Sequence, residues 1–129
     1  MLQIRIYYGS SITQGACVTR PGNDYISILA RRLDCDYINL GFSGNGNAED
    51  AMIDYILSID ADLYAFDYNM YPNRKERILP SHFSIYERIR KKHPDAAILL
   101  YDKPNEYWSE REDIIRSTYN KTQELATSA

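Results

Sequence analysis

The sequence has no basic stripe to offset its acidic excess: 15 lysines and arginines stand against 18 aspartates and glutamates, a formal charge of −3. Binding to nucleic acid needs clustered positive charge that can displace phosphate counterions, so that class is set aside. Long apolar runs are missing too. The longest, around Ile98 to Tyr101 and Ile53 to Ile59, fall far short of the roughly 20 residues that cross a bilayer. Met1 to Arg5 leads straight into a strand-like segment without the basic region, apolar stretch and small-residue cleavage site of a signal peptide. A chain without membrane contact, cytoplasmic by default, is the expectation. Cysteine is scarce: Cys17 and Cys35 form neither a CxxC pair nor a disulfide framework, which favours buried free thiols. Histidine is scarce as well, and His82 and His93 have no cysteine or carboxylate cluster at ligand spacing. Neither a metal nor another cofactor is expected.

What remains is an ordinary globular composition. With 129 residues, 44% of them hydrophobic and 26% charged, the chain can build one core, and a single domain over residues 1–129 is expected. Leu2 to Tyr8 is rich in β-branched and aromatic residues and ends at Gly9, the pattern of a strand followed by a loop. Tyr37 to Leu40, the almost wholly apolar Leu63 to Phe66, and Ala96 to Tyr101 read as three more strands.

Helices are predicted between them. One is capped by Asn23 and carries Tyr25, Ile28, Leu29 and Leu33; a second is capped by Asn47 and carries Met52, Ile53, Ile56 and Leu57. A third runs from Ser81 to Lys92 with Phe83, Ile85, Tyr86 and Ile89, and a last begins near Ser109. Strand and helix alternate four times, which predicts a parallel sheet with helices on both faces. Ligands in such folds sit beyond the carboxyl ends of the strands.

The loops at those ends carry the chemistry. Gly9-Ser10-Ser11-Ile12-Thr13-Gln14-Gly15 places hydroxyls directly after a buried strand, where a serine can be held facing a cleft with a backbone N–H aimed at a developing oxyanion. Serine and glycine there are also ordinary turn residues. The second loop offers Gly44 and Gly46 between Asn45 and Asn47. A phosphate cradle fits it poorly, because Glu49 replaces the third glycine of GxGxxG. Ser43 narrowly misses the spacing of a GxSxG elbow. The third loop holds Asn69 and Asn73, either a turn residue or an amide donor to an oxyanion.

Together, YYGSSITQG, INLGFSGNG and LYAFDYNMYPN resemble the first three sequence blocks of the SGNH hydrolases, also called GDSL esterases. RRL in the first helix and HFSIYERIRKKHPDAAILLYDKP extend the likeness to the carbohydrate-esterase-like branch of that superfamily. The resemblance implies a flavodoxin-like, three-layer α/β/α sandwich and a serine esterase. It puts the nucleophile at Ser11, with Ser10 where the family has aspartate, and the oxyanion donors at the Ser11 and Gly44 backbones and at Asn69, or Asn73 if the loop is longer here. The implied substrates are acyl esters, acetyl esters of carbohydrates among them.

The family's general base is a histidine three residues after an aspartate. Here Leu79 and Arg90 hold that place before His82 and His93. His93, at a helix end before Pro94, suits carbonyl capping. The chain is therefore expected to stop before the family's last strand, Asp-x-x-His loop and last helix, and to show negligible turnover alone. Tyr68, Tyr71, Tyr107, Trp108 and His82 are candidates to line a substrate rim, although 12 tyrosines must include many that simply pack. The rival reading is a non-catalytic carbohydrate-binding or interaction module on the same fold; a flavodoxin-like cofactor binder lacks a phosphate loop. An open edge at strand four would invite self-association.

Overall fold

The structure, a computed structural model, describes residues 3–68, 75–101 and 120–128. Four parallel strands form one sheet: β1 (Ile4–Gly9), β2 (Asp36–Gly41), β3 (Leu63–Asp67) and β4 (Ala97–Leu100), in the order β2-β1-β3-β4. Register is level along the central pair, with Ile6 beside Tyr64 and Gly9 beside Asp67, while β2 puts Gly41 on the other side of Gly9. Helices α1 (Ser11–Gln14), α2 (Tyr25–Leu33), α3 (Asp50–Leu57) and α4 (Lys75–Lys92) fill the connections. Residues 120–128 are also helical. This is the expected α/β sandwich with a parallel sheet.

Alternation along the strands divides the interior into two. Ile6, Tyr8, Tyr64 and Phe66 face one way and meet Ile53, Ile56 and Leu57 of α3 and Ile85 and Ile89 of α4. Tyr7 and Ala65 face the other way, towards Ile26 of α2. At about 25 cal/mol per Å² of apolar surface removed from water, the larger cluster supplies most of the hydrophobic stabilisation.

Local chemistry sets the helix ends, and here the structure corrects the sequence. Asp24, not Asn23, caps α2: its carboxylate accepts from Ser27 N at 2.9 Å and from Ser27 Oγ at 2.6 Å. The inward face of α2 is Ile26 and Ala30, whereas Leu29 and Leu33 are exposed; the small Ala30 and Ser27 let the helix approach the sheet. Helix α3 starts after Glu49, and the Asn47 amide instead donates to the Glu49 carboxylate. Helix α4 begins at Lys75 and runs through Pro80, whose missing N–H would ordinarily argue for a break. Ser11–Gln14, read from sequence as loop, is one helical turn closed by Gly15. Both cysteines are free thiols, but Cys17 is exposed and Cys35 half-buried, not buried as expected. No helix among the described residues is long and apolar enough to cross a membrane.

Candidate active site

Strand β1 sends its connection towards β2, while β3 sends its own towards β4, so the chain diverges between the carboxyl ends of β1 and β3. Side chains and backbone there are approachable from the cleft that this divergence opens. Gly9, Ser10 and Ser11 occupy one lip and Asp67 the other.

The two adjacent serines are sharply distinguished. Ser10 is fully buried and its Oγ accepts from Ile12 N at 3.3 Å, the work of a helix cap. Ser11, half-buried, is the first residue of α1. The N–H groups of a helix's first turn have no intrahelical acceptor, and Ile12 N is the one that Ser10 satisfies. Ser43 is exposed and its N–H donates to Gln14 Oε1 at 2.9 Å.

The loop after β2 is stitched to the Ser11 turn. Phe42 N donates to the Gly9 carbonyl at 2.9 Å, and the Asn39 amide donates to the Thr13 carbonyl at 2.9 Å. Gly46 packs so closely that a Cβ there would lie 2.5 Å from the Gly9 carbonyl oxygen, which no other residue tolerates. Gly44 serves differently: its φ of 74° is left-handed, but nothing lies within 4 Å of where its Cβ would be. Ser11 and Gly44 therefore sit on neighbouring loops at one end of the sheet. Asn69, Asn73, Tyr71, Tyr107 and Trp108 lie outside the described residues.

The aromatic rim is corrected in part. Tyr68 is only 2% exposed, with its ring against Tyr8, Phe66 and His82 and its hydroxyl bonded to Ser81 Oγ at 3.0 Å. Burial holds its phenol well above the ordinary range. It offers no open ring face for a sugar. His82 is fully buried, stacked on Tyr68, with Nδ1 bonded to Thr122 Oγ1 at 2.9 Å. Its ring borders a cavity of about 420 Å³ between α4, β4 and the 120–128 helix, not the cleft beside Ser11. Burial pushes its pKa down to about 4. The signal was available: His82, Ile85 and Ile89 fall on one helical stripe, and both isoleucines are buried.

His93 caps a carbonyl, as expected. Nε2–H donates to the Leu57 carbonyl at 3.0 Å, with Asp60 3.4 Å from Nδ1. This lies at the amino end of β3, and strand geometry at about 3.3 Å per residue separates it from Ser11 by roughly 15 Å. The described residues contain no group of three or more histidine, cysteine or acidic side chains able to hold a metal ion.

Beyond Gly46 a groove of about 530 Å³ opens between the start of α3 and α4, with Glu49, Asp50, Ser84 and Arg88 on its walls and Ile53 and Ile85 among its apolar residues. Arg88 pairs with Asp50 and Asp54 across it.

A serine-bearing turn thus lies where a parallel α/β sheet diverges, flanked by a glycine loop. The chain belongs to the GDSL-like lipase/acylhydrolase family, whose model matches residues 3–128. A GDSL-like lipase from Bacteroides ovatus ATCC 8483 superposes with a TM-score of 0.73 at 29% identity, over 98% of this chain and 38% of its own. The SGNH-hydrolase family esterase AlinE4 superposes with a TM-score of 0.75 at 18% identity, over 97% of this chain and 72% of its own. The chain thus spans well under half the length of the Bacteroides protein. No curated protein matches it in sequence.

Proposed function

We propose that the chain supplies the nucleophile and oxyanion half of a serine esterase that cleaves acyl esters, with acetylated carbohydrates as the substrate class. The observation that carries this reading is the placement of Ser11, first residue of a helical turn at the carboxyl end of central strand β1. Ser11 Oγ attacks the ester carbonyl carbon while a base takes its proton. The oxyanion is held by the backbone N–H groups of Ser11 and Gly44 and the amide of Asn69, or of Asn73. The alcohol leaves with the proton returned by the base, and water then hydrolyses the acyl-enzyme. The groove past Gly46 suits the alcohol half: its carboxylates and hydroxyls accept and donate to sugar hydroxyls, and its acidic excess disfavours anionic substrates.

In this reading neither histidine described here is the base: His82 is bonded to Thr122 and His93 to the Leu57 carbonyl. Labelling the full-length gene product with a fluorophosphonate should modify Ser11, and Ser11→Ala should lower turnover roughly 10⁴–10⁶-fold. Esterase activity retained by Ser11→Ala overturns the assignment. The engagement of His82 and His93 favours a second reading for residues 1–129 alone, binding without turnover. Ligand-induced shifts with acetylated oligosaccharides but no hydrolysis would support it. The same reading includes pairing of a second copy along β4, the last strand among the described residues, where Leu99 is 47% exposed. A concentration-independent monomer by sedimentation would refute that pairing.

A further inference from the structure

We propose that Thr13 and Asp67 are positioning residues for Ser11. This rests on Ser11 being the nucleophile. Asp67 grips the Ser11 turn at two points. Its carbonyl accepts from Ser10 N at 3.2 Å, and its Oδ2 accepts from Thr13 Oγ1 at 3.3 Å. One anchor lies just before Ser11 and the other two residues after it. Thr13 is fully buried and Asp67 2% exposed, so water does not compete for either bond.

Elementary bookkeeping of hydrogens sets the direction of the Thr13 bond: a carboxylate only accepts, so the single hydroxyl hydrogen of Thr13 goes to Asp67. On the same face of the sheet the Tyr25 and Tyr101 hydroxyls are bonded to each other. A buried carboxylate is a costly way to close a sheet end, and apolar side chains would seal it as well. What apolar residues would not do is fix both flanks of Ser11 by directional bonds.

The test uses hydrolysis of p-nitrophenyl acetate by the full-length gene product. Thr13→Val keeps the shape and removes the hydroxyl; kcat should fall about 10–100-fold with KM within about twofold, because a small misplacement of a reacting group carries a cost of that size. Thr13→Ser should restore kcat to within about threefold of the parent. Thr13→Ala, which also lacks the hydroxyl, should lower kcat at least as much, and it stands in if Thr13→Val does not fold. In residues 1–129 alone, Thr13→Val should speed amide exchange at Gln14 and Gly15 about tenfold without altering β1 and β3. Unchanged kcat in Thr13→Val and Thr13→Ala, failure of serine to rescue, or unchanged exchange overturns the proposal. If Ser11→Ala is inactive while Thr13→Val is normal, only the positioning role fails. If Ser11→Ala stays active, the nucleophile assignment fails first.

Discussion

The two faces of the sheet are built from different materials. Towards α3 and α4 the strands present Ile6, Tyr8, Tyr64 and Phe66 to a thick layer of isoleucines. Towards α1 and α2 the buried apolar set among the described residues is Tyr7, Ile26, Ala30 and Ala65, and the space near the carboxyl end is taken by Thr13, Asp67, Tyr25 and Tyr101. Even the polar groups differ. Tyr8, on the apolar face, uses its hydroxyl to hold a backbone, accepting from Ala48 N at 2.7 Å, and its phenol is pushed up to about 12 by burial. Hydroxyls on the opposite face bond chiefly to one another and to a carboxylate. One face supplies adhesion without direction, and the other supplies direction with less adhesion.

Substitutions should separate these roles. Ile56→Ala, at a fully buried site on the apolar face, should cost about 2–5 kcal/mol in urea unfolding; in the full-length product, the turnover of molecules that remain folded should be untouched. A large loss of kcat at full foldedness would break the division. The apolar face should also carry a pH dependence through His82. Its folded pKa of about 4 lies below the ordinary 6.5, so the unfolded chain binds the proton first and stability falls as pH drops from about 6.5 towards 4. The shift amounts to about 3 kcal/mol. Urea midpoints at pH 7 and 4 should therefore differ less in His82→Gln than in the parent, and equal differences would refute it. Smallest in effect, Gly44→Ala meets no steric obstacle but must hold a left-handed φ, at about 1–2 kcal/mol. A loss near 4 kcal/mol would mean that the loop is crowded after all.

Much of this division was legible in the sequence, but unevenly. Strand–helix alternation was enough for the layers, and the spacing of Met52, Ile53, Ile56 and Leu57 gave the inward side of α3 directly. Helix α2 misled because Leu29 and Leu33 are greasier than Ala30, yet close approach to the sheet selected the smaller side chain. Pro80 hid the first turns of α4, since a proline inside a helix runs against local preference. Ser11 was readable only through its resemblance to a family motif, because Gly-Ser-Ser after a strand is equally good turn chemistry. The network around Asp67 left no local trace: Thr13, Tyr25, Asp67 and Tyr101 are far apart in the chain and meet only when β1, β3 and α2 are assembled. Tyr68 and His82 show the same limit in reverse, since an aromatic or imidazole beside a strand end says nothing by itself about whether its ring meets solvent.

The strand order has a consequence for the chain during synthesis. Strand β1 precedes both of its partners in the chain and lies between them, bonded to β2 on one edge and β3 on the other. At roughly 5–20 residues per second, a ribosome takes several seconds to proceed from β1 to the end of β3. Throughout that interval the β1 edge that β3 will claim, along Ile6, Tyr7 and Tyr8, is open, the kind of segment that a nascent-chain chaperone would shield. The acceptor for Ser10 N and that for the Thr13 hydroxyl both belong to Asp67. The serine turn is therefore translated before the strand that anchors it, and it can take its final form only after β3 has emerged and docked.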